Sequence, residues 1–372
     1  MDVDPNVGDS VHIESHSALL QQAGGLKIAG RPVDAIIVPT IRPQSLRAAS
    51  TFADEIGCVL VVLCTTLEQA RQAAAACGSL SCCILITWVP HSFQDSWLKF
   101  STSLHPAAAP LISSHADIAR KRNAGLLLAR LCGWRTVMYL DDDIRGLTAE
   151  AVRRAASLTS CFLAVGFTIG YYPDNSTVCH AYRLAGGRQD IFPGGSALLV
   201  NVDRYDSLFP SIYNEDWLFL FDAVHDRSVA AAGTLSQLEY NPFAHPGRAA
   251  AEEFGDVIAE GLYRLIHTGA DVGSVTQVYW QEVLERRVKL IDYIGSRLPK
   301  TKESTAVCAQ ISLAAAHEQL RSISPQACVS FVRAWRADLD SWRQTLLRLP
   351  AVGNLVDAAA FLELPVASEC VN

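Results

Sequence analysis

The sequence predicts an α/β protein: a Rossmann-related, mainly parallel sheet flanked by helices, with a helical C-terminal region. Three observations carry this. Continuous apolar, β-branched runs alternate with segments of helical spacing, as in a parallel sheet buried on both faces. The fourth of these runs leads directly into three consecutive aspartates. Beyond about Gly269 strand signals fade and long amphipathic segments with charged faces follow.

Residues 1–31 are polar and aperiodic, and an arm or an added edge element is expected there. Residues 33–41 (VDAIIVPTI) form the first strand and 46–56 have helical spacing. The apolar run 58–64 is the second strand, 67–77 a helix and 82–89 the third strand. A Ser- and Pro-rich loop over 90–113 leads to a long helix, capped near Ser114 and closed by Gly133 at its C′ position. Residues 135–140 are the fourth strand. A helix (149–158), a strand (161–167) and a β-rich stretch (177–202) follow. Helices are expected near 275–298, 306–323 and 325–347. The spacing therefore divides the chain into an arm (1–31), a ligand-binding domain (32–270) and a helical subdomain (271–372). That subdomain is suited to covering a site or to forming a homodimer.

Composition narrows the function. Of 372 residues, 50% are hydrophobic, which is material for a sizeable core. A net charge of −7 argues against a chain that coats nucleic acid, since phosphate backbones call for an excess of Lys and Arg. The eleven cysteines include no CxxC spacing, so they read as buried free thiols in a reducing compartment. The N-terminal residues are acidic where a signal peptide is basic, and no run approaches the roughly 18 apolar residues of a membrane span. A cytoplasmic location is expected.

The sharpest feature is VMYLDDDI, residues 137–144. A strand ending in Asp141, Asp142 and Asp143 sets carboxylates at the carboxyl edge of a parallel sheet, where open α/β sheets bind ligands. Adjacent carboxylates repel one another unless a cation intervenes, and Mg²⁺ commonly joins carboxylates to substrate phosphates. The preceding helix carries Arg120, Lys121, Arg122 and Asn123. Positive charges near a helix start oppose its macrodipole, and a bound anion would account for them. The first strand ends in Pro39, Thr40 and Arg42, which offer backbone, hydroxyl and guanidinium groups to a nucleotide.

Taken in order, these features resemble the GT-A glycosyltransferases of the family 2 kind. The resemblance rests on IIVPTIRP (36–43), an ARxRNxGLxxA-like helix (119–129), the strand ending in a DxD motif (137–143), FPGGSALLVN (192–201) and the ED pair of NEDW (214–217). It covers roughly residues 32–250. VPTIR and the three aspartates also resemble the reversibly glycosylated polypeptides, which are nucleotide-sugar mutases. The resemblance implies a divalent metal, Mg²⁺ or Mn²⁺, and a nucleoside-diphosphate sugar as donor to a hydroxyl of a small molecule or glycan. It places Asp143 on the metal and Asp141 towards the nucleoside, with Asp142 turned inward or helping as an acceptor. His245 would be a late metal ligand, with His180 a less favoured one, and Arg248 would lie within reach of phosphate. Arg42, Arg120 or Arg122 would share the charge of the leaving diphosphate. Asp216 would be the acceptor base in an inverting transfer, with Glu215 its orienting partner or an acceptor ligand. The alternatives are a retaining transfer, which needs no such base, a nucleotide-sugar mutase and a catalytically silent nucleotide-sugar-binding protein. Gly194 and Gly195 would permit close backbone approach in the pocket, and Trp217 would pack on a sugar or fill core.

Overall fold

The computed structural model describes residues 16–22, 30–77, 81–108, 113–173, 175–189, 191–299 and 304–369. Its strands are β1 (Gln21–Gln22), β2 (Ala35–Pro39), β3 (Val59–Cys64), β4 (Ile84–Trp88), β5 (Thr136–Leu140), β6 (Ile144–Arg145), β7 (Ala164–Ile169), β8 (Ala197–Asn201), β9 (Val229–Gln237) and β10 (Val366–Glu369). They assemble in the order β1-β9-β7-β8-β5-β2-β3-β4-β10, and β6 pairs with the far end of β9. β2, β3, β4 and β5 are mutually parallel, whereas β8 runs antiparallel to both β5 and β7. The first and fourth predicted strands are thus immediate neighbours, with Ala35 opposite Val137.

The helices are α1 (Arg47–Ile56), α2 (Leu67–Cys77), α3 (Ser92–Trp97), α4 (Ser113–Leu131), α5 (Ala149–Leu158), α6 (Thr177–Leu184), α7 (Glu215–His225), α8 (Pro246–Thr268), α9 (Gln277–Arg297), α10 (Ser304–Ser322), α11 (Pro325–Arg348) and α12 (Leu355–Phe361). Strand side chains alternate between two cores. Ile37, Val61, Leu63 and Tyr139 join α4, α7, α8 and the C-terminal helices on one face. Ile36, Val38, Leu60, Val62 and Met138 join α1, α2 and α5 on the other. Burial on both faces is why these strands read as unbroken apolar runs. Gly133 ends α4 with φ +70°, the left-handed conformation its position predicts. The cap expected near Ser114 lies outside the residues whose side chains are described.

Three features depart from the expected pattern or add to it. Residues 177–202 are not continuously β-rich: Thr177–Leu184 is helix α6 and only Ala197–Asn201 is strand. The Ser176 hydroxyl accepts from Cys179 N and starts that helix, and Val178, Ala181 and Tyr182 bury its inner face. Capping and packing override the β preference of Thr177 and Val178. At the N-terminus, β1 pairs in parallel with β9, so residues 21–22 form an added edge. At the other end, β10 returns from the helical region to pair antiparallel with β4. One hydrophobic core contains α4, α7 and α8 together with α9, α10 and α11. Among the described residues, no helix is long and apolar enough to cross a membrane.

Candidate active site

Topology gathers the site. β3 lies on one side of β2 and β5 on the other, so the loops leaving β2 and β5 diverge at a switch point, where open α/β sheets leave a crevice. Because β8 runs against β5, Leu140 faces Ala197, and the 194–196 segment lies beside Asp141. Asp141 N donates to Ser196 O at 2.8 Å. The start of α7 supplies Glu215 and Asp216, whose charges suit a helix N-terminus.

Asp141, Gly194, Ser196, Asn214, Glu215, Asp216 and Trp217 line a cavity of about 170 Å³, together with Arg122, Tyr213 and apolar groups that include Ile169 and Phe192. By this measure one water needs about 10–15 Å³, so a multi-atom ligand fits. Arg122, buried on α4, is the hub. It reaches Glu215 Oε1 at 2.5 Å and Asp141 Oδ1 at 3.1 Å, and its Nε has no partner. Asp216 Oδ2 accepts from Gly195 N at 2.6 Å and Oδ1 accepts from Trp217 N at 2.8 Å. The glycines are required by the protein's own side chains. A Cβ on Gly194 would lie 2.6 Å from Asp216 Oδ2, and one on Gly195 would collide with the Arg122 guanidinium.

A second cluster adjoins the cavity. Asp142 is buried; it accepts from the Thr40 hydroxyl and from Arg42 Nη2, the latter at 2.6 Å. The same Arg42 nitrogen lies 2.8 Å from Asp143 Oδ2. Burial alone would lower the Arg42 pKa, but Asp143 and Asp142 outweigh it and raise it. Two arginines therefore take up part of the charge of the three aspartates, and five carboxylates face two guanidinium groups. These oxygen-only donors suit a hard cation, and Arg42 holds a cation's place between Asp142 and Asp143. Among the described residues, no group of three or more His, Cys, Asp or Glu side chains could hold a metal by itself.

Other expected site residues serve the fold. Arg120 is buried, donates to Val89 O at 3.3 Å and pairs with Asp117 at 2.6 Å, so it is not a free partner for a diphosphate. Lys121 Nζ donates to Thr40 O and Thr65 Oγ1, both at 2.8 Å, and props the loop after β2. Asn123 donates to Phe209 O at 2.7 Å and accepts from Phe209 N at 3.0 Å. Those two bonds use its side chain structurally. Pro39 ends β2, in the sheet. Arg248 pairs with Glu252 at 2.5 Å and lies over the Tyr240 ring, which occupies the group expected to reach phosphate. His245 is exposed at the N-cap of α8, makes no side-chain cap bond, and does not gather with Asp142 and Asp143 into a metal-binding set. His180 bonds Tyr240 Oη at 3.1 Å; burial, with help from Arg183 and Arg248, lowers its pKa to about 4. Trp217 lines the cavity and packs edge-on to Phe192, so its ring fills core at the cavity wall. Asn214 was legible only as part of NEDW, and its role depends on a left-handed φ of +59°.

Burial pushes the Glu215 carboxyl up to about 8; Arg122 opposes the rise, and Asp216 and Asp141 add to it. Burial is the main cause, and competition from two further carboxylates for one guanidinium adds to it. The sign follows from linkage. The folded state binds this proton more tightly than the unfolded chain, whose carboxyl titrates near the ordinary 4.5. Glu215 therefore stabilises most below that value, and its contribution is lost as pH rises to about 8. In denaturant unfolding between pH 6 and pH 9, wild type should lose more stability than Glu215→Gln. Equal losses would show that Glu215 is already ionised at pH 6.

No protein-family model matches the chain, and no curated protein matches it either.

Proposed function

We propose that the chain is a glycosyltransferase that moves a sugar from a nucleoside diphosphate to a hydroxyl acceptor, with a divalent metal and inversion at the anomeric carbon. One observation carries the reading. A single cavity at the switch point joins Asp141, from the end of β5, to the Glu215–Asp216 pair that opens α7, around a shared Arg122. Carboxylates of two kinds are what such a reaction uses, one set near the diphosphate and one near the acceptor.

Asp143, with Asp142 behind it, would hold Mg²⁺ or Mn²⁺. Such ions commonly take one or two protein carboxylates and complete their shell with phosphate oxygens and water. When bound, the metal would neutralise charge on the departing diphosphate. The remaining work falls to the chain's own residues. Asp216, fixed by two backbone N–H groups, would accept the proton of the acceptor hydroxyl. Glu215, carrying its proton, would bond a neighbouring oxygen rather than compete as a base. Arg122 would keep Asp141 and Glu215 in place, and Arg42, partly exposed, would swing from the aspartates to phosphate.

The test is a thermal-shift panel of UDP, GDP and their sugars with Mn²⁺ or with chelator. A preferred nucleotide should raise the melting temperature in the presence of metal. Asp143→Asn should weaken that binding by an order of magnitude or more, the scale of a lost charged contact. Equal binding of UDP and GDP with chelator present would remove the metal from the site. No shift with any nucleotide would remove the reading itself.

A further inference from the structure

The C-terminal helices reach the cavity through a buried polar chain. Arg287 on α9 donates from Nε to Glu253 Oε1 at 2.7 Å and from Nη2 to Glu253 Oε2 at 2.8 Å. The same Nη2 donates to Asp256 Oδ2 at 2.5 Å. The other oxygen of Asp256, Oδ1, accepts from Asn214 Nδ2 at 2.9 Å. The side chains of Arg287, Glu253 and Asp256 are 4%, 0% and 7% exposed, so water does not compete for these bonds. Asn214 is the N-cap of α7, immediately before Glu215 and Asp216, and it holds φ +59° without a side-chain bond to its own helix. Its amide is spent on Asp256 instead. Next to Asp256, a Cβ on Gly255 would collide with the Tyr213 carbonyl, so α8 lies directly against the turn that opens α7.

We infer that Arg287 is a positioning residue for the Glu215–Asp216 pair, acting through Asp256 and Asn214. The inference rests on the reading of Asp216 as acceptor base. A left-handed residue aims the two side chains that follow it. The Asn214 carbonyl accepts from Leu218 N at 3.2 Å within the helix, and its side chain is held from outside the helix by Asp256. α9 supplies that hold by orienting Asp256. The C-terminal helices thus set the acceptor side of the cavity, whereas the nucleotide side depends on loops after β2 and β5 that the chain of bonds does not touch.

Asn214→Gly separates positioning from folding. Glycine accepts a positive φ without strain and removes the tether together with a side chain that lines the cavity. In the full-length protein, its melting temperature should fall only by the few degrees that one lost bond to a charged group accounts for, and its affinity for the preferred nucleotide with Mn²⁺ should stay within about threefold of wild type. Turnover should fall by roughly 10–100-fold, as for a misplaced reacting group, with KM for the donor little changed. Hydrogen exchange should quicken at residues 213–218. Arg287→Lys, which keeps the charge but not the fork, should show the same turnover loss and the same local exchange, with a smaller effect on α7 than on α9. Wild-type turnover in Asn214→Gly would overturn the inference, and so would unchanged exchange at 213–218. If wild type binds no nucleotide, the enzymatic reading fails, and the exchange measurement still decides whether Arg287 holds the turn.

Discussion

Asp216→Asn is expected to lower turnover by about 10²–10⁴-fold, the ordinary contribution of a positioned base. The sequence alone suggests a rim carboxylate of little structural consequence. The structure changes that expectation, because both carboxylate oxygens accept backbone N–H bonds, from Gly195 at 2.6 Å and Trp217 at 2.8 Å. Asparagine keeps one acceptor and must turn an amide towards the other donor. A stability loss on the order of 1–3 kcal/mol follows, the scale of a hydrogen bond to a charged group or of an unmade one. Turnover should nevertheless fall much further than stability accounts for, since the variant remains folded at assay temperature. Nucleotide affinity with Mn²⁺ should persist because Asp143, Asp142 and Arg42 form a separate cluster. Measuring turnover, affinity and melting on one preparation separates the effects. An Asp216→Asn protein with full turnover would end the inverting assignment and favour a retaining reaction, which needs no such base. Loss of nucleotide binding in step with turnover would mean that the carboxylate serves the donor side.

Arg287→Met should produce a large loss of stability although Arg287 lies outside the cavity. It leaves Glu253, fully buried, and Asp256, nearly so, without their cation. Removing one partner of a buried ion pair typically costs about 3–5 kcal/mol, because the remaining charge stays in a medium that solvates it poorly. Two carboxylates are stranded here, so the upper part of that range is expected. For a chain of this size the melting temperature should fall by roughly 5–10 °C. The double replacement Arg287→Met with Glu253→Gln should recover part of the loss, since one stranded charge is removed. Thermal unfolding of the three proteins at one pH checks this. An Arg287→Met protein as stable as wild type would mean that both carboxyls take up protons without cost.

Much of the fold was legible because its signals are local. Unbroken β-branched runs at 35–39, 59–64 and 84–88 can be buried only on two faces, and the helices between them have one apolar side. Three aspartates after the fourth strand identify a sheet edge where charge collects, and that is where Asp141–Asp143 lie. α6 was not legible, because its helix depends on the Ser176 cap and on partners distant in sequence. β10 was not legible either, since four residues become a strand only when the edge of β4 is there to receive them.

By itself the sequence determined the layered sheet, the carboxylates at its edge and the basic stretch before them. Asp117 meets Arg120 and Lys121 within one helix, at i+3 and i+4, but which basic residue reaches the carboxylates at the sheet edge was decided by tertiary structure. Arg120, Lys121 and Arg122 are consecutive, yet successive helix positions point about 100° apart. Arg120 and Lys121 consequently both reach Asp117 on their own helix, Lys121 also props the loop after β2, and Arg122 turns to Asp141 and Glu215. Asn123 faces Phe209 for the same reason. The link from Arg287 to Asn214 joins residues 73 positions apart through Asp256 on a third segment. No local pattern encodes that path: a buried charge takes whichever partner packing brings within about 3 Å, and only the folded chain determines which one that is.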